Sequence, residues 1–293
     1  MTTDMQGKVV LITGGNTGIG KATAVALARM GARVTITSRD PDKGQAALAD
    51  IRQQADSDAV QCMRLDLASL AGVRHFAADF TAGHPRLDVL INNAGLVLKD
   101  RSETVDGFET TFGVNHLGHF VLTHELLPLL RRSAPARVVV LASEAHRGAR
   151  GGLDFDDLQL RRKYGGWKAY SRSKLANLLF TLELAERLRG SGVTVNAVHP
   201  GVVASEFAAS EDIGVLFGFL WKISRWALLS PEQGARTSVY VASAPELAEV
   251  SGGYFARCKP ARPTRAAQDR GAALRLWEIS EQLTATTTST ASA

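Results

Sequence analysis

Short, unbroken apolar runs alternate along the chain with longer segments in which apolar residues recur every three or four positions. The first kind reads as strands buried on both faces, the second as helices packed against them. The pattern predicts strands over 8–13, 32–38, 59–65, 87–91, 137–142 and 193–198, with a last short strand over 253–255. Helices are predicted over 18–30, from Pro41 to about 54, and over 69–82, 167–189, 232–242 and 264–283. Asp40 before Pro41 reads as an N-cap followed by proline at the first helical position. A longer helix over roughly 103–131 is expected to break near Gly107 and kink at Pro128. Strands separated by helices make an α/β fold with a doubly wound parallel sheet, here one domain over 1–283. Ligands of such sheets bind beyond the carboxyl ends of the strands. The low-complexity stretch 284–293 is expected to be a disordered tail.

The turn after the first strand is rich in glycine. Leu11-Ile12-Thr13-Gly14-Gly15-Asn16-Thr17-Gly18-Ile19-Gly20 leads directly into the Ala-rich segment 21–28. A strand, a glycine turn and a helix N-terminus form an anion site, because free amides and the positive end of the helix dipole meet there. Glycine is needed where a Cβ would block the turn or hold a pyrophosphate away. The spacing Gly14-x3-Gly18-x-Gly20 departs from the G-x-G-x-x-G fingerprint, so the turn alone also fits a ligand-free corner. The cofactor contacts expected here are Gly14, Asn16, Thr17, Gly18, Ile19 and Gly20.

The ends of the next strands extend this picture. The second strand ends in Ser38-Arg39-Asp40. An acidic residue near this position holds a ribose 2′-hydroxyl, whereas an arginine accommodates a 2′-phosphate. With Asp40 read as a helix cap, Ser38 and Arg39 favour NADP(H) over NAD(H). Asp66, in Leu65-Asp66-Leu67, either accepts a hydrogen bond from an adenine amino group or caps the following helix, and Leu67 stands beside it. The fourth strand runs into Asn92-Asn93-Ala94-Gly95, where Asn93, Ala94 and Gly95 suit close approach to a cofactor.

Acid–base chemistry is suggested further on. Ser143 follows the fifth strand, and Tyr170-Ser171-Arg172-Ser173-Lys174 opens the next helix. Positions i and i+4 share a helix face. A phenol of pKa near 10 is a poor acid–base at neutral pH, and an ammonium one turn away favours the phenolate. Tyr170 and Lys174 therefore read as a tuned proton donor and acceptor, with Ser143 able to hold a carbonyl or hydroxyl oxygen. Tyr164 and Lys168 share the same spacing, but Gly165 and Gly166 between them disfavour the helix that would align them.

Taken in order, Thr13-Gly14-x3-Gly18-Ile19-Gly20, Asn92-Asn93-Ala94-Gly95, Asn115, Ser143, Tyr170-x3-Lys174 and Pro200-Gly201 resemble the short-chain dehydrogenase/reductase family over nearly the whole chain. Each motif is weak alone, and the ordered set is specific. Asp106-Gly107-Phe108-Glu109-Thr110, Val114-Asn115-His116-Leu117-Gly118-His119-Phe120, Ser173-Lys174-Leu175-Ala176-Asn177 and Gly253-Tyr254-Phe255 resemble its retinol dehydrogenase-like branch. The step from Ser143 to Tyr170 is longer than most of the family shows, and an inserted loop of about 147–166 again resembles that branch.

The resemblance implies a Rossmann-type fold and a catalytic tetrad. Asn115 would hold a water in a proton relay, Ser143 would polarise the substrate oxygen, and Tyr170 would be the acid–base. Lys174 would bind the nicotinamide ribose and lower the pKa of Tyr170. Pro200, Gly201, Val203 and Ser205 join Tyr170 and Lys174 as implied cofactor contacts, with Ser205 standing where the family usually has threonine. The implied reaction interconverts a carbonyl and an alcohol on a small apolar substrate, retinoid-like or long-chain, by hydride transfer with nicotinamide. The same tyrosine and lysine would also serve C=C double-bond reduction. A catalytically silent NADP(H)-binding regulatory module would keep the fold, although all four tetrad positions are filled. A nucleotide-sugar epimerase fits less well, since its glycine turn normally has the other spacing.

The segment 213–229 is strongly apolar, with two tryptophans and two cations. It reads as part of an apolar substrate lid (about 205–230), as a peripheral membrane or partner contact, or as ordinary core. His116, His119 and His124 suggest a metal, but no carboxylate or cysteine set completes one, so no metal site is expected. The whole chain of 293 residues is 45% hydrophobic and 22% charged, an ordinary soluble composition. Its net charge of +5 comes from scattered arginines, and an anionic cofactor accounts for a basic cleft better than nucleic acid does. The two cysteines, Cys62 and Cys258, are far apart and suit a reducing compartment. With no signal-like N-terminus and no long apolar run, a cytoplasmic homo-oligomer is expected.

Overall fold

A computed structural model describes residues 4–201 and 229–285. Its strands are β1 (Val9–Ile12), β2 (Arg33–Ser38), β3 (Val60–Arg64), β4 (Val89–Asn92), β5 (Ala136–Leu141), β6 (Val193–His199), β7 (Tyr254–Ala256) and β8 (Lys259–Pro260). Among the described residues they form one sheet in the order β3-β2-β1-β4-β5-β6-β7-β8. All neighbours pair in parallel except β7 and β8, which are antiparallel. The order reverses between β1 and β4, so the crevice for a ligand lies beyond the carboxyl ends of those two strands.

The helices are α1 (Gly18–Arg29), α2 (Pro41–Ala55), α3 (Leu70–Gly83), the short α4 (Thr110–Phe112), α5 (Gly118–Arg132), α6 (Gly166–Arg187), α7 (Pro231–Ser243) and α8 (Arg270–Thr284). Alternation along each strand divides the core between two faces. Val9 and Leu11 of β1 pack with Val73, Phe76 and Phe80 of α3 and Phe120 and Leu126 of α5. Val10 and Ile12 pack on the opposite face with Ala24 and Leu27 of α1, Ile51 of α2 and Val241 of α7. Both faces of β1 are thus covered, which is why its sequence is continuously apolar. No helix among the described residues is long and apolar enough to cross a membrane.

Several boundaries differ from the sequence expectation. The helix expected from 103 does not begin there. Glu103 and Glu109 form an isolated antiparallel bridge across a turn in which Gly107 has φ +80°. Helix starts only at Thr110, where the Glu109 carboxylate accepts the amides of Thr111 and Phe112 at 2.9 and 2.7 Å. A π-turn, Gly113–Leu117, then joins α4 to α5. Asp40 does cap α2, accepting from the amides of Asp42 and Lys43 at 3.0 and 3.2 Å. Asp66 is not the cap of α3; Ser69 is, with its Oγ 3.1 Å from the Gly72 amide. At the C-terminus, α8 runs to a buried Thr284, so the expected tail loses its first residue to the helix. Val203, Ser205 and the apolar lid assigned to about 205–230 lie outside the described residues, apart from 229 and 230, as does the tail beyond 285.

His116, in the π-turn, is buried against Phe112 and lies 2.9 Å from Ser280 Oγ on α8. Burial holds its pKa down to about 3 and that of His119 down to about 4. Both rings are therefore neutral in the folded protein and take up protons on unfolding below about pH 6.5. The unfolded state then binds more protons, so stability is lost as pH falls from about 6.5 toward the folded values. The expected slope is up to about 1.4 kcal/mol per pH unit for each histidine. Urea midpoints measured between pH 7.5 and 5 test this, with His116→Phe making the slope shallower.

Candidate active site

The site is assembled at the carboxyl ends of β1, β2, β4, β5 and β6. Thr13 closes β1, and Gly14 and Gly18 then turn the chain with φ of +63° and +52°, values that favour glycine. The turn is tied to β2 by the Gly14 amide on Thr37 Oγ1 (3.2 Å) and the Gly15 amide on the Thr37 carbonyl (3.1 Å). A Cβ on Gly20 would come within 2.5 Å of both Asn93 Nδ2 and the Gly14 carbonyl oxygen. Gly20 is thus what lets α1 pack directly on the end of β4.

Thr17, the N-cap of α1, makes no side-chain capping bond, and the first turn carries no carboxylate. The helix amides therefore face the glycine turn without a competing acceptor from the cap, as an anion requires. Asn16 and Ile19 flank them half-buried, and Thr17 is exposed. These features fit a dinucleotide pyrophosphate.

Ser38 is buried and its hydroxyl donates to the Asp40 carbonyl at 2.7 Å. Arg39 is exposed, with no hydrogen bond or ion pair among the described residues. Because the Asp40 carboxylate is occupied in capping α2, the cation at this strand end stays available. Asp66 accepts from the Ala68 amide at 3.0 Å, and Leu67 is buried beneath Gly118, whose Cβ would meet the Leu67 carbonyl oxygen.

Asn93 differs from its sequence reading. Its side chain turns back into the protein and donates to the carbonyls of Thr13 (2.8 Å) and Gly14 (3.2 Å). It holds the glycine turn, leaving Ala94 and Gly95 to border the crevice. Gly95 is exposed, and a Cβ there would lie 3.4 Å from Asn115 Oδ1 and 3.5 Å from Lys174 Nζ. Asn115 is fully buried in the π-turn. Its Oδ1 accepts the Leu96 amide (2.8 Å), and its Nδ2 donates to the Leu96 carbonyl (2.9 Å) and to Ser173 Oγ (3.0 Å). One lone pair of Oδ1 remains. π-turns within helices occur frequently at functional positions.

Ser143, two residues beyond β5, is the N-cap of a 3₁₀ turn, Glu144–Gly148, its Oγ 3.1 Å from the Ala145 amide. The same hydroxyl hydrogen-bonds Tyr170, which favours the phenolate; burial opposes it more strongly and pushes the phenol up to about 12. Lys174 is buried, donates to the Leu141 carbonyl at 2.9 Å and lies 5.6 Å from the Tyr170 ring centroid. Burial brings the lysine down to about 8. The sequence reading, in which the ammonium draws the phenol down, is corrected here. Both charged forms lose hydration in the same enclosed place, and for the phenol that loss outweighs the Ser143 hydrogen bond.

Tyr164 precedes α6 and donates to the Leu98 carbonyl at 3.0 Å. Pro200 and Gly201 follow β6, with Gly201 at φ +89°. Thr13, His119 and Ser173 were not singled out as site residues in the sequence. They carry buried polar bonds between distant segments, and although each stood in a motif quoted for the family resemblance, no motif indicated these bonds. Among the described residues no three His, Cys, Asp or Glu gather as a metal site would.

The family model described as "short chain dehydrogenase" matches residues 8–154 and 158–214. Retinol dehydrogenase 12 of Mus musculus is 50% identical over 96% of this chain and 88% of its own length. Retinol dehydrogenase 14 of Homo sapiens is 46% identical over 94% and 86%. An uncharacterized protein from Mycobacterium Paratuberculosis superposes with a TM-score of 0.77 at 38% identity, covering 96% of this chain and 95% of that one. The RhlG/NADP active-site complex of Pseudomonas aeruginosa superposes with a TM-score of 0.69 at 29% identity, covering 86% and 95%. With a turn, strand ends and helix pair of this geometry, and matches of this extent, the chain is an oxidoreductase that belongs to the short chain dehydrogenase family, in its retinol dehydrogenase-like branch.

Proposed function

We propose that the protein is an NADP(H)-dependent enzyme interconverting a carbonyl and an alcohol on an apolar, retinoid-like or long-chain substrate. The observation that carries the reading is the convergence of Ser143, Tyr170 and Lys174 beside Gly95 and Asn115. The names of the retinol dehydrogenase relatives support the substrate class. The NADP complex among the structural relatives and the unengaged Arg39 support the cofactor.

The pyrophosphate would lie against Gly14, Asn16, Thr17, Gly18, Ile19 and Gly20, and the 2′-phosphate against Ser38 and Arg39. Asp66 and Leu67 would border the adenine. Ala94, Gly95, Lys174, Pro200 and Gly201 would border the nicotinamide end, and Asn93 would hold the turn from behind. When bound, the cofactor supplies or takes up the hydride. The chain's own residues manage the proton and the oxygen. Ser143 Oγ hydrogen-bonds the substrate oxygen and orients it toward Tyr170. Tyr170 is a protonated phenol at neutral pH and delivers its proton to the oxygen as the carbonyl is reduced. The Lys174 ammonium offsets the phenolate charge that results. Asn115 braces the Leu96 segment against Ser173, whose hydroxyl donates to the Tyr170 carbonyl at 2.8 Å.

Three outcomes test this reading. NADPH oxidation with a panel of aldehydes, ketones and enones should show turnover on apolar carbonyls, and Tyr170→Phe should reduce it by about 10² to 10⁴-fold while NADPH binding persists. Activity that survives Tyr170→Phe but not Tyr164→Phe would move the acid–base to Tyr164.

Arg39→Ala should weaken NADPH binding by about 10 to 150-fold, the value of a charge-assisted bond of roughly 1.5–3 kcal/mol, and leave NADH nearly unchanged. Equal loss for both cofactors would make Arg39 structural.

Carbonyl reduction needs the proton on Tyr170, kept up to about 12, and the charge on Lys174, kept up to about 8. Its kcat should be level at neutral pH and fall above about 8, while alcohol oxidation, which needs the phenolate, rises with pH. A reduction rate that climbs above pH 8 would contradict the assignment.

A further inference from the structure

His119 lies on α5 one turn beyond Asn115 and is buried, yet neither ring nitrogen lacks a partner. Nδ1 is 3.2 Å from the Asn115 carbonyl oxygen and Nε2 is 2.8 Å from Thr13 Oγ1. The partners dictate where the protons are. Thr13 Oγ1 accepts the amides of Asn93 (2.9 Å) and Ala94 (3.0 Å). A hydroxyl has two lone pairs and one proton, so Thr13 has only the proton left to give. His119 Nε2 at 2.8 Å is its nearer acceptor, the Ile91 carbonyl being at 3.4 Å. Nε2 is therefore bare, and Nδ1 carries the ring proton and donates it to the Asn115 carbonyl. A cationic ring would turn a second N–H against a hydroxyl with no lone pair free, and burial independently keeps this ring neutral.

The bonds form one directed chain. It starts at the Asn93 and Ala94 amides at the end of β4, crosses Thr13 at the end of β1, passes through the imidazole and ends on the main chain of Asn115. Aligned bonds in a low-dielectric interior polarise and stiffen one another. The side chain of Asn115 is held by Leu96 and Ser173, so His119 adds the hold on its backbone.

We propose that His119 is a positioning residue that locks the glycine turn and the Asn93–Gly95 segment to Asn115, so that the cofactor cradle and the proton-transfer residues keep a single relative geometry. The proposal rests on the reading of Asn115 as a member of the catalytic set. A ring that merely fills space would contribute packing alone. A positioning ring couples energetically to Thr13 and acts on turnover.

The experiment is a double-mutant cycle in the full chain, with NADPH and an apolar aldehyde. His119→Phe keeps the ring and removes both nitrogens. It should lower kcat by about 10 to 100-fold, the scale of a small misplacement in a preorganised site, with the aldehyde KM changed less than about threefold. Thr13→Val should act in the same way, and the double variant should fall no further than the worse single one. Thr13→Ser, which keeps the hydroxyl, should recover most of what Thr13→Val loses. A purely structural histidine would lower the melting temperature, leave kcat per folded molecule intact and give additive losses, and either of the last two results overturns the proposal. Should His119→Phe not fold, the contrast of Thr13→Val with His119→Gln, which keeps an acceptor toward Thr13, decides the same question. Asn115→Ala separates the two levels. Full turnover in Asn115→Ala refutes the reading of Asn115, whereas slow turnover there with wild-type turnover in His119→Phe refutes only the role of His119.

Discussion

The structure depends on the close approach of the β1 turn to the end of β4. Gly20 has no room for a Cβ because Asn93 Nδ2 and the Gly14 carbonyl occupy that space. The Asn93 side chain in turn satisfies the carbonyls of Thr13 and Gly14, which would otherwise be left without partners in a partly buried corner. Pulling these two strand ends together at the point where the sheet order reverses defines the crevice, and α1 begins at its edge. The positive end of a helix is thereby aimed at this crevice, where an anion can be received.

The second half of the sheet brings the chemistry to that crevice. β5 delivers Ser143, and α6 delivers Tyr170 and Lys174 on one face. The π-turn between α4 and α5 presents Asn115 to the Leu96 backbone and to Ser173 of α6, so one amide side chain braces three segments. Burial has an electrostatic consequence that helical spacing does not reveal. It keeps the phenol protonated and brings the lysine pKa down to about 8, so at neutral pH the resting pair is a neutral phenol beside an ammonium.

Much of this was legible in residue order because it depends on local rules. Continuous apolar runs marked the strands, Asp40-Pro41 marked the start of α2, and the four-residue step from Tyr170 to Lys174 placed both groups on one helix face. Other features resisted reading. The stretch before Thr110 has helix-compatible residues, but Gly107 at positive φ and the Glu103–Glu109 bridge make it a turn. Asp66 was a candidate cap of α3, but the helix begins later and Ser69 caps it. Asn93, placed by its motif among the cofactor contacts, faces inward.

The sequence by itself determined the class of fold, the glycine turn, the pairing of Tyr170 with Lys174 on one helix face and the family, since each of these is written in periodicity or in a short ordered motif. Only the tertiary structure decided which polar groups meet. Thr13 and His119, or Asn115 and Ser173, lie far apart in the chain and meet because the sheet order and the helix packing bring them together. It also decided the protonation of Tyr170 and Lys174. Spacing brings an ammonium close to a phenol, but how much hydration each loses depends on everything packed around them, and that loss is the larger effect here.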